Sequence, residues 1–200
     1  LLVYKVEKED GNLYMSQLVG DTYTKPINMG SSINTKVNEL SASLTPDGNI
    51  LYFSSNRKGG LGGNDIYRSQ RLPNGEWGLA QNLGPNVNNV FEEDAPFIHH
   101  DGKTLYFSSQ GHNTMGGYDI FVSSIGKANF ISDPINIGYP INTTGDDIFF
   151  VLSADAKHAY YSSAKKGGYG ETDIYMIEME GKESIGGAIA SETGKSQPSI

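Results

Sequence analysis

The stretch that decides the fold is Thr45-Pro46-Asp47-Gly48-Asn49-Ile50-Leu51-Tyr52-Phe53-Ser54-Ser55, followed by Gly59-Gly60-Leu61-Gly62-Gly63-Asn64-Asp65-Ile66-Tyr67. Its landmarks come back twice. Tyr52-Phe53-Ser54-Ser55 returns as Tyr106-Phe107-Ser108-Ser109 and as Tyr160-Tyr161-Ser162-Ser163, at a step of 54 residues. Asp65-Ile66-Tyr67 returns at the same step as Asp119-Ile120-Phe121 and Asp173-Ile174-Tyr175. Asp47, Asp101 and Asp155 keep the step without a gap. So do Asn28, Asn82 and Asn136, then Gly30, Gly84 and Gly138, then Asn34, Asn88 and Asn142. Such a period marks one supersecondary unit used repeatedly, stacked because no single copy buries its own apolar faces.

Each unit reads as four short strands. Strand a lies near Ser41–Thr45, Ala95–His99 and Phe149–Ser153. A tight turn centred on Asp47-Gly48, Asp101-Gly102 or Asp155-Ala156 leads into strand b, at Ile50–Ser55, Thr104–Ser109 and His158–Ser163. Asp-Gly suits such a turn because glycine accepts positive φ without a Cβ clash. A Gly-rich loop leads to strand c, near Asp65–Gln70, Asp119–Ser124 and Asp173–Glu178. Strand d falls near Leu79–Leu83 and Asp133–Ile137. The runs are short, bounded by turn signals and rich in β-branched and aromatic residues, with no competing helical period. The fold class is therefore all-β: four-stranded antiparallel β-propeller blades, forming a partial propeller. Stacking sheets radially buries both faces of each one and leaves short edges. A β-sandwich is the runner-up, but it has no need of a 54-residue period.

The expected organisation is a β-propeller fragment over 1–182, with a partial blade at 1–37 (strands b, c and d) and blades at 38–91, 92–145 and 146–182. Propellers close with roughly 4–8 blades, so further blades are expected upstream of this sequence. Residues 183–200 are expected to be a linker and the first strand of another domain. The alternative is that Ile185–Ser191 supplies strand d of the last blade.

Composition narrows the function. The net charge of −8 and pI near 4.9 argue against nucleic acid as a partner, which needs a basic face. No run of apolar residues is long enough for a membrane-spanning helix. With no cysteine among 200 residues, disulfides, thiolate metal sites and a thiol nucleophile are ruled out for this sequence.

The quoted stretch resembles the WD40-like "PD" repeat (PD40) of TolB-type propellers. Its longer form, with Gly-Gly-x-Asp-Ile-Tyr, is similar to the propeller of OmpA-family outer-membrane proteins of Bacteroidetes, which include a type IX secretion component. The resemblance covers roughly residues 1–180. The second copy departs at His99-His100, which lacks the proline, and the third has Ala156 for glycine. Ser184–Lys195 is similar to the first strand and turn of a carboxypeptidase regulatory-like β-sandwich. The resemblance implies a periplasmic, outer-membrane-associated interaction scaffold with protein partners in the cell envelope. Peptidoglycan would be reached only through a domain outside this sequence.

Candidate site residues fall into two groups. Asp65, Asp119 and Asp173 are expected to be structural, each accepting backbone N–H bonds in the loop between strands b and c. Asp47, Asp101 and Asp155 are expected to be turn residues. Glu92, Glu93, Asp94, Asp146 and Asp147, with Glu39, sit in the d–a connections. They are expected to form an acidic rim beside Arg57, Lys58, Lys165, Lys166 and Tyr169 of the b–c loops, and this face is expected to bind the partner. The histidines His99, His100, His112 and His158 lack the convergent spacing of a zinc site, and Ca²⁺ loops of the Asp-x-Asp-x-Asp type are absent. No metal or cofactor is expected. No Gly-x-Ser-x-Gly elbow occurs, and the arginines Arg57, Arg68 and Arg71 all fall in one blade, unlike a sialidase cluster. No catalytic residue is assigned, and the chain is expected not to be an enzyme. The alternative is a ligand- or saccharide-binding propeller, or the accessory propeller of a hydrolase.

Overall fold

The computed structural model describes residues 2–7 and 10–179. The linker and new strand expected at 183–200 lie outside the described residues. Among the described residues, sixteen strands form five sheets. In chain order they are β1 (Leu2–Glu7), β2 (Asp10–Met15), β3 (Leu18–Val19), β4 (Thr22–Tyr23), β5 (Ile27–Asn28), β6 (Glu39–Leu44), β7 (Ile50–Ser55) and β8 (Asp65–Gln70). They continue with β9 (Gln81–Asn82), β10 (Glu93–Ile98), β11 (Thr104–Ser109), β12 (Asp119–Ser124), β13 (Ile135–Asn136), β14 (Asp147–Leu152), β15 (His158–Ser163) and β16 (Asp173–Glu178).

Two sheets are complete antiparallel blades, β6-β7-β8-β9 and β10-β11-β12-β13. The sheet β14-β15-β16 repeats strands a, b and c, and β1-β2-β5 supplies strands b, c and d of an earlier blade. The small hairpin β3–β4 was not anticipated. It is an excursion from the first blade, turned at Gly20 in the left-handed region (φ 60°). The register repeats with the sequence: Phe53 faces Tyr67, Phe107 faces Phe121, and Tyr161 faces Tyr175.

Strand a starts two residues earlier than the sequence pattern suggested. Its pairing opens at Glu39↔Ser55, Glu93↔Ser109 and Asp147↔Ser163, and a bulge then breaks the alternation. The extra residue leaves Ala95 (φ 50°) and Phe149 (φ 61°) in the left-handed region. Strand d is also shorter than expected, two residues in each blade. A short outermost strand limits the exposed edge of each blade.

The core lies between blades rather than within them. Leu13 of the first sheet packs with Leu51, Phe53 and Tyr67 of the next. Tyr52 and Ile66 pack with Leu105, Phe107 and Phe121. Tyr106, Ile120 and Val122 pack with Phe150, Ala159 and Tyr161, and the Tyr106 and Phe150 ring centroids stand 4.7 Å apart. One face of strands b and c therefore meets the preceding blade and the other meets the following one. At roughly 1.5–3 kcal/mol for each fully buried large side chain, these seams are the main source of stability.

Candidate functional site

The ends of strand b define two opposite faces. The a–b turns lie on one. The b–c loops and the d–a connections meet on the other, where Gly63 N donates to Phe91 O and Gly117 N to Gly145 O.

Every junction on this loop-bearing face uses one frame. The asparagine after strand d acts as a side-chain ladder rung. Asn88 Oδ1 accepts from Ile66 N at 2.7 Å and its Nδ2 donates to Ile66 O at 2.9 Å. Asn34 clamps Leu13, and Asn142 clamps Ile120, in the same way. Asn28, Asn82 and Asn136 each accept from these clamp amides and from the glycine N–H two residues on. The sequence showed these asparagines repeating without revealing their task. The signal is Asn-x-Gly-x-x-x-Asn.

Next comes a staple from each blade to the preceding one. Asn38 Oδ1 accepts from Gly11 N at 2.8 Å, Glu92 Oε2 from Asn64 N at 2.7 Å, and Asp146 Oδ1 from Tyr118 N at 2.9 Å. A Cβ at Gly63 or Gly117 would collide with the Glu92 or Asp146 carboxylate. In Gly62-Gly63 and Gly116-Gly117 the second glycine is thus demanded by the neighbouring blade's side chain.

The acidic rim must be redrawn. Glu93 and Asp147 are 0% exposed, as is Glu39, so none of them can touch a partner. Each accepts the backbone N–H of the residue four before it: Glu39 from Thr35, Glu93 from Asn89, Asp147 from Thr143. Burial pushes the Glu93 carboxyl up to about 7, against the hydrogen bonds from Asn89 and Ser109; the nearby Asp65 and Glu92 add to the rise. Asp94 turns back to the preceding blade, accepting from Ser41 Oγ and, at 2.6 Å, from Ser54 Oγ. Arg57 is also largely buried. It donates to Ile33 O at 2.7 Å, pairs with Glu39 at 3.1 Å and lies over Phe53 and Tyr67, 4.8 Å from each centroid. Lys165 occupies the same slot over Tyr161 and Tyr175, and His112 stands there against Phe107 and Phe121. His112 Nε2 lies 2.9 Å from Val87 O, the counterpart of Ile33 O, so that nitrogen carries the proton.

The repeated aspartates sit as follows. Asp65 accepts from Leu61 N, Gly62 N and Asn82 Nδ2; Asp119 from Met115 N and Asn136 Nδ2; Asp173 from Tyr169 N and Gly170 N. On the opposite face, Asp47 accepts from Thr45 Oγ1 and Asn49 N, and Asp155 from Ser153 Oγ and Lys157 N. These bonds hold both carboxyls below the usual range. At Asp101 burial opposes the effect, but bonds from Thr104 and Lys103 still bring the carboxyl to about 2.

Exposed on the loop-bearing face are apolar and basic side chains together with the carboxylates of Asp146 and Glu171. Leu61, Met115 and Tyr169 hold one repeat position, each exposed, with its own N–H fixed by the strand-c aspartate. Val90 and Phe91 are exposed at the second junction only. Leu61, Pro85, Val90, Phe91 and His112 line a cleft of about 330 Å³ there. Lys58 and Lys166 are exposed beside these loops. The described residues hold no group of three or more metal-ligating side chains, and no helix among them is long and apolar enough to cross a membrane.

This geometry defines the fold, an all-β propeller, which TolB-type chains share. The superpositions agree. The chain matches TolB from Acinetobacter baumannii at 15% identity and a TM-score of 0.58, over 94% of this chain and 39% of that one. It matches an Agrobacterium tumefaciens protein assigned as TolB at 17% identity and 0.59, over 94% of this chain and 59% of that one. The chain thus spans less than two thirds of either. No family model and no curated protein matches the sequence. A thermostable family-43 glycoside hydrolase also superposes, at 14% identity and 0.60, over all of this chain and 72% of that one. That match overturns the expectation that the chain is not an enzyme. The same arrangement of blades occurs in a catalyst, so a propeller with no recognised motif is no ground for denying activity.

Proposed function

We propose that the chain is the interaction propeller of a periplasmic, outer-membrane-associated protein, and that its loop-bearing face binds protein partners in the cell envelope. The envelope setting, the OmpA-family parentage and a link to type IX secretion rest on the sequence resemblance alone. The observation that carries the binding face is the exposed apolar series Leu61, Met115 and Tyr169, joined at one junction by Val90 and Phe91. In a repeat protein, residues required by the fold recur and are buried. Val90 and Phe91 do neither: the equivalent positions hold Lys36 and Val37, then Thr144 and Gly145. Large apolar side chains held outward on rigid loops are suited to recognition. The flanking Lys58 and Lys166 extend that face beside Tyr169, and Asp146 keeps an exposed carboxylate on it, whereas Glu92, Glu93, Asp94, Asp147, Arg57 and Lys165 support it from within.

Photo-crosslinking in the native cell tests the assignment. A benzophenone side chain at Met115 or Tyr169 should give adducts of discrete mass, and the same group at Lys103, on the a–b turn face, should give none. Replacing Val90 by Thr and Phe91 by Gly, the residues of the next junction, should weaken the Met115 adduct while leaving the melting temperature unchanged. Adducts from Lys103 alone would put the binding face on the wrong side.

A further inference from the structure

We propose that Glu93 is a proton-operated latch on the connection that carries Val90 and Phe91: neutral, it holds the two side chains in place on the loop-bearing face, and ionised, it lets the connection lift. This regulation rests on that face being the binding face. A short chain of hydrogen bonds ties the connection to the carboxyl. Asn89 N donates to Glu93 Oε2 at 2.9 Å, Ser109 Oγ donates to Glu93 Oε1 at 2.7 Å, and Asn89 Nδ2 donates to Ser109 Oγ at 3.3 Å. Asn89 Oδ1 in turn accepts from Phe91 N at 2.8 Å. Val90 and Phe91, both exposed and both lining the cleft of about 330 Å³, therefore hang on Asn89, and Asn89 hangs on Glu93. Gly63 N, which donates to Phe91 O at 3.1 Å, adds to the hold.

The carboxyl that closes the latch is badly placed to carry a charge. Glu93 is 0% exposed. The titratable groups facing it are Asp65 on strand c of the preceding blade, Glu92 on its own connection and Tyr118 on the b–c loop of its own blade, none of them a cation. Its counterpart Glu39 has the Arg57 guanidinium at 3.1 Å. Position 111, where the step would bring that arginine, is glycine. A buried carboxylate without a counter-charge is driven to take up a proton or to reach water. A segment that can yield lies directly against it: the connection itself, exposed at Val90 and Phe91. Opening hydrates the carboxyl and weakens its hold on the proton, so opening releases a proton and rising pH drives it. Burial chiefly brings the closed carboxyl to about 7, from 4.5, which places the change in the neutral range. The latch is therefore fully closed below 4.5 and loosens as pH rises through about 7.

Amide hydrogen exchange between pH 5 and 8 tests the latch, with a control inside the molecule. Protection of the Asn89 and Phe91 amides, corrected for the intrinsic pH dependence of exchange, should fall on the order of 50-fold over that range as local opening grows. The Thr35 amide, which donates at 2.9 Å to the arginine-paired Glu39, should keep its protection. Glu93→Gln, which leaves an oxygen for Asn89 N–H and has no proton to lose, should flatten the Asn89 profile. No fall at Asn89, or an equal fall at Thr35, would overturn the proposal even if the variant does not fold. Binding is read separately, from the benzophenone adduct at Met115 in envelope extract buffered at pH 5.5 or 8. That adduct should weaken at pH 8 with Glu93 present and be equal at the two values in Glu93→Gln. His112 lines the same cleft and is a second place for a proton. A pH dependence that survives in Glu93→Gln would assign the control to it and overturn the latch as regulator. Adducts missing at both pH values would overturn the binding face and its regulation together, while the exchange profiles still decide whether Glu93 holds the connection.

Discussion

At the first junction Glu39 sits beneath the loop face with the Arg57 guanidinium 3.1 Å away. At the second, Glu93 occupies the same place with the same support, an N–H four residues back and a serine hydroxyl across the ladder. Residue 111, where the step would put the arginine, is glycine, and a Cβ there would strike the Asn89 side chain. Asn89 fills the room with an amide that donates to Ser109 Oγ at 3.3 Å. His112, one residue on, reaches Val87 O from the aromatic slot, but no ion pair joins it to Glu93. The repeat thus specifies the frame and leaves the charge balance to each blade.

The largest effect expected from this contrast is at Arg57. Arg57→Ala leaves the buried Glu39 without its counter-charge, which costs about 4 kcal/mol for a broken buried pair. His112→Ala, in the equivalent slot, removes one hydrogen bond and a ring contact and should cost about 1 kcal/mol. Urea midpoints at unchanged m-value give both numbers. Equal losses would mean that Arg57 acts only by packing on Phe53 and Tyr67.

The second effect is pH-dependent and belongs to Glu93. Its carboxyl is raised from 4.5 to about 7 by burial. A raised folded value means the native state holds the proton more tightly than the unfolded chain does. The stabilisation is fully present below pH 4.5 and is lost as pH rises through about 7. The total is on the order of 3 kcal/mol. Glu93→Gln should remove this slope. The groups facing Glu93 are Asn89, Ser109, Asp65, Glu92 and Tyr118, none of them cationic. Stability measured between pH 5 and 8 decides: a wild-type curve as flat as that of the variant would refute a protonated Glu93. The opposite trend below pH 4 comes from Asp47, Asp101 and Asp155. Their lowered values give stability that is present above 3.8 and lost as pH falls.

Much of this frame was legible in the sequence. Tyr52-Phe53-Ser54-Ser55 and Asp65-Ile66-Tyr67 recur because a blade packed between two neighbours buries both of its faces, so the period survives as near-identity. The start of strand a was not legible. The bulge at Ser41, Ala95 and Phe149 interrupts the alternation, and a strand read by alternation begins only after it. The acidic rim was misread for the same reason: Glu93 and Asp147 looked like connection residues and are the buried first paired residues of β10 and β14. The cation slot was hidden because Arg57, His112 and Lys165 differ chemically and the middle one is displaced by one position. Val90 and Phe91 gave no motif, because a residue that serves one blade leaves no period.

The smallest effect tests the third junction against the first. Glu39 Oε1 accepts from Ser55 Oγ at 3.0 Å, and Glu93 Oε1 accepts from Ser109 Oγ at 2.7 Å. At the third junction the acid is Asp147, one methylene shorter, and both Asp147 Oδ1 and Ser163 Oγ are buried without a hydrogen-bond partner. The other oxygen is well used, accepting from Thr143 N at 2.6 Å and from Thr143 Oγ1 at 2.9 Å. A glutamate can serve such a threonine too, since Glu39 accepts from both groups of Thr35 at 2.9 and 2.8 Å. Asp147→Glu should therefore restore the missing serine bond without losing the threonine pair. The expected gain is about 1 kcal/mol, read as a rise of roughly 2–4 °C in melting temperature for a chain of this size. The reverse change, Glu93→Asp, should leave the Ser109 hydroxyl without its acceptor and cost a similar amount. A loss of stability in Asp147→Glu would mean that the third junction has closed around the shorter acid, and that the three junctions are not interchangeable at this position.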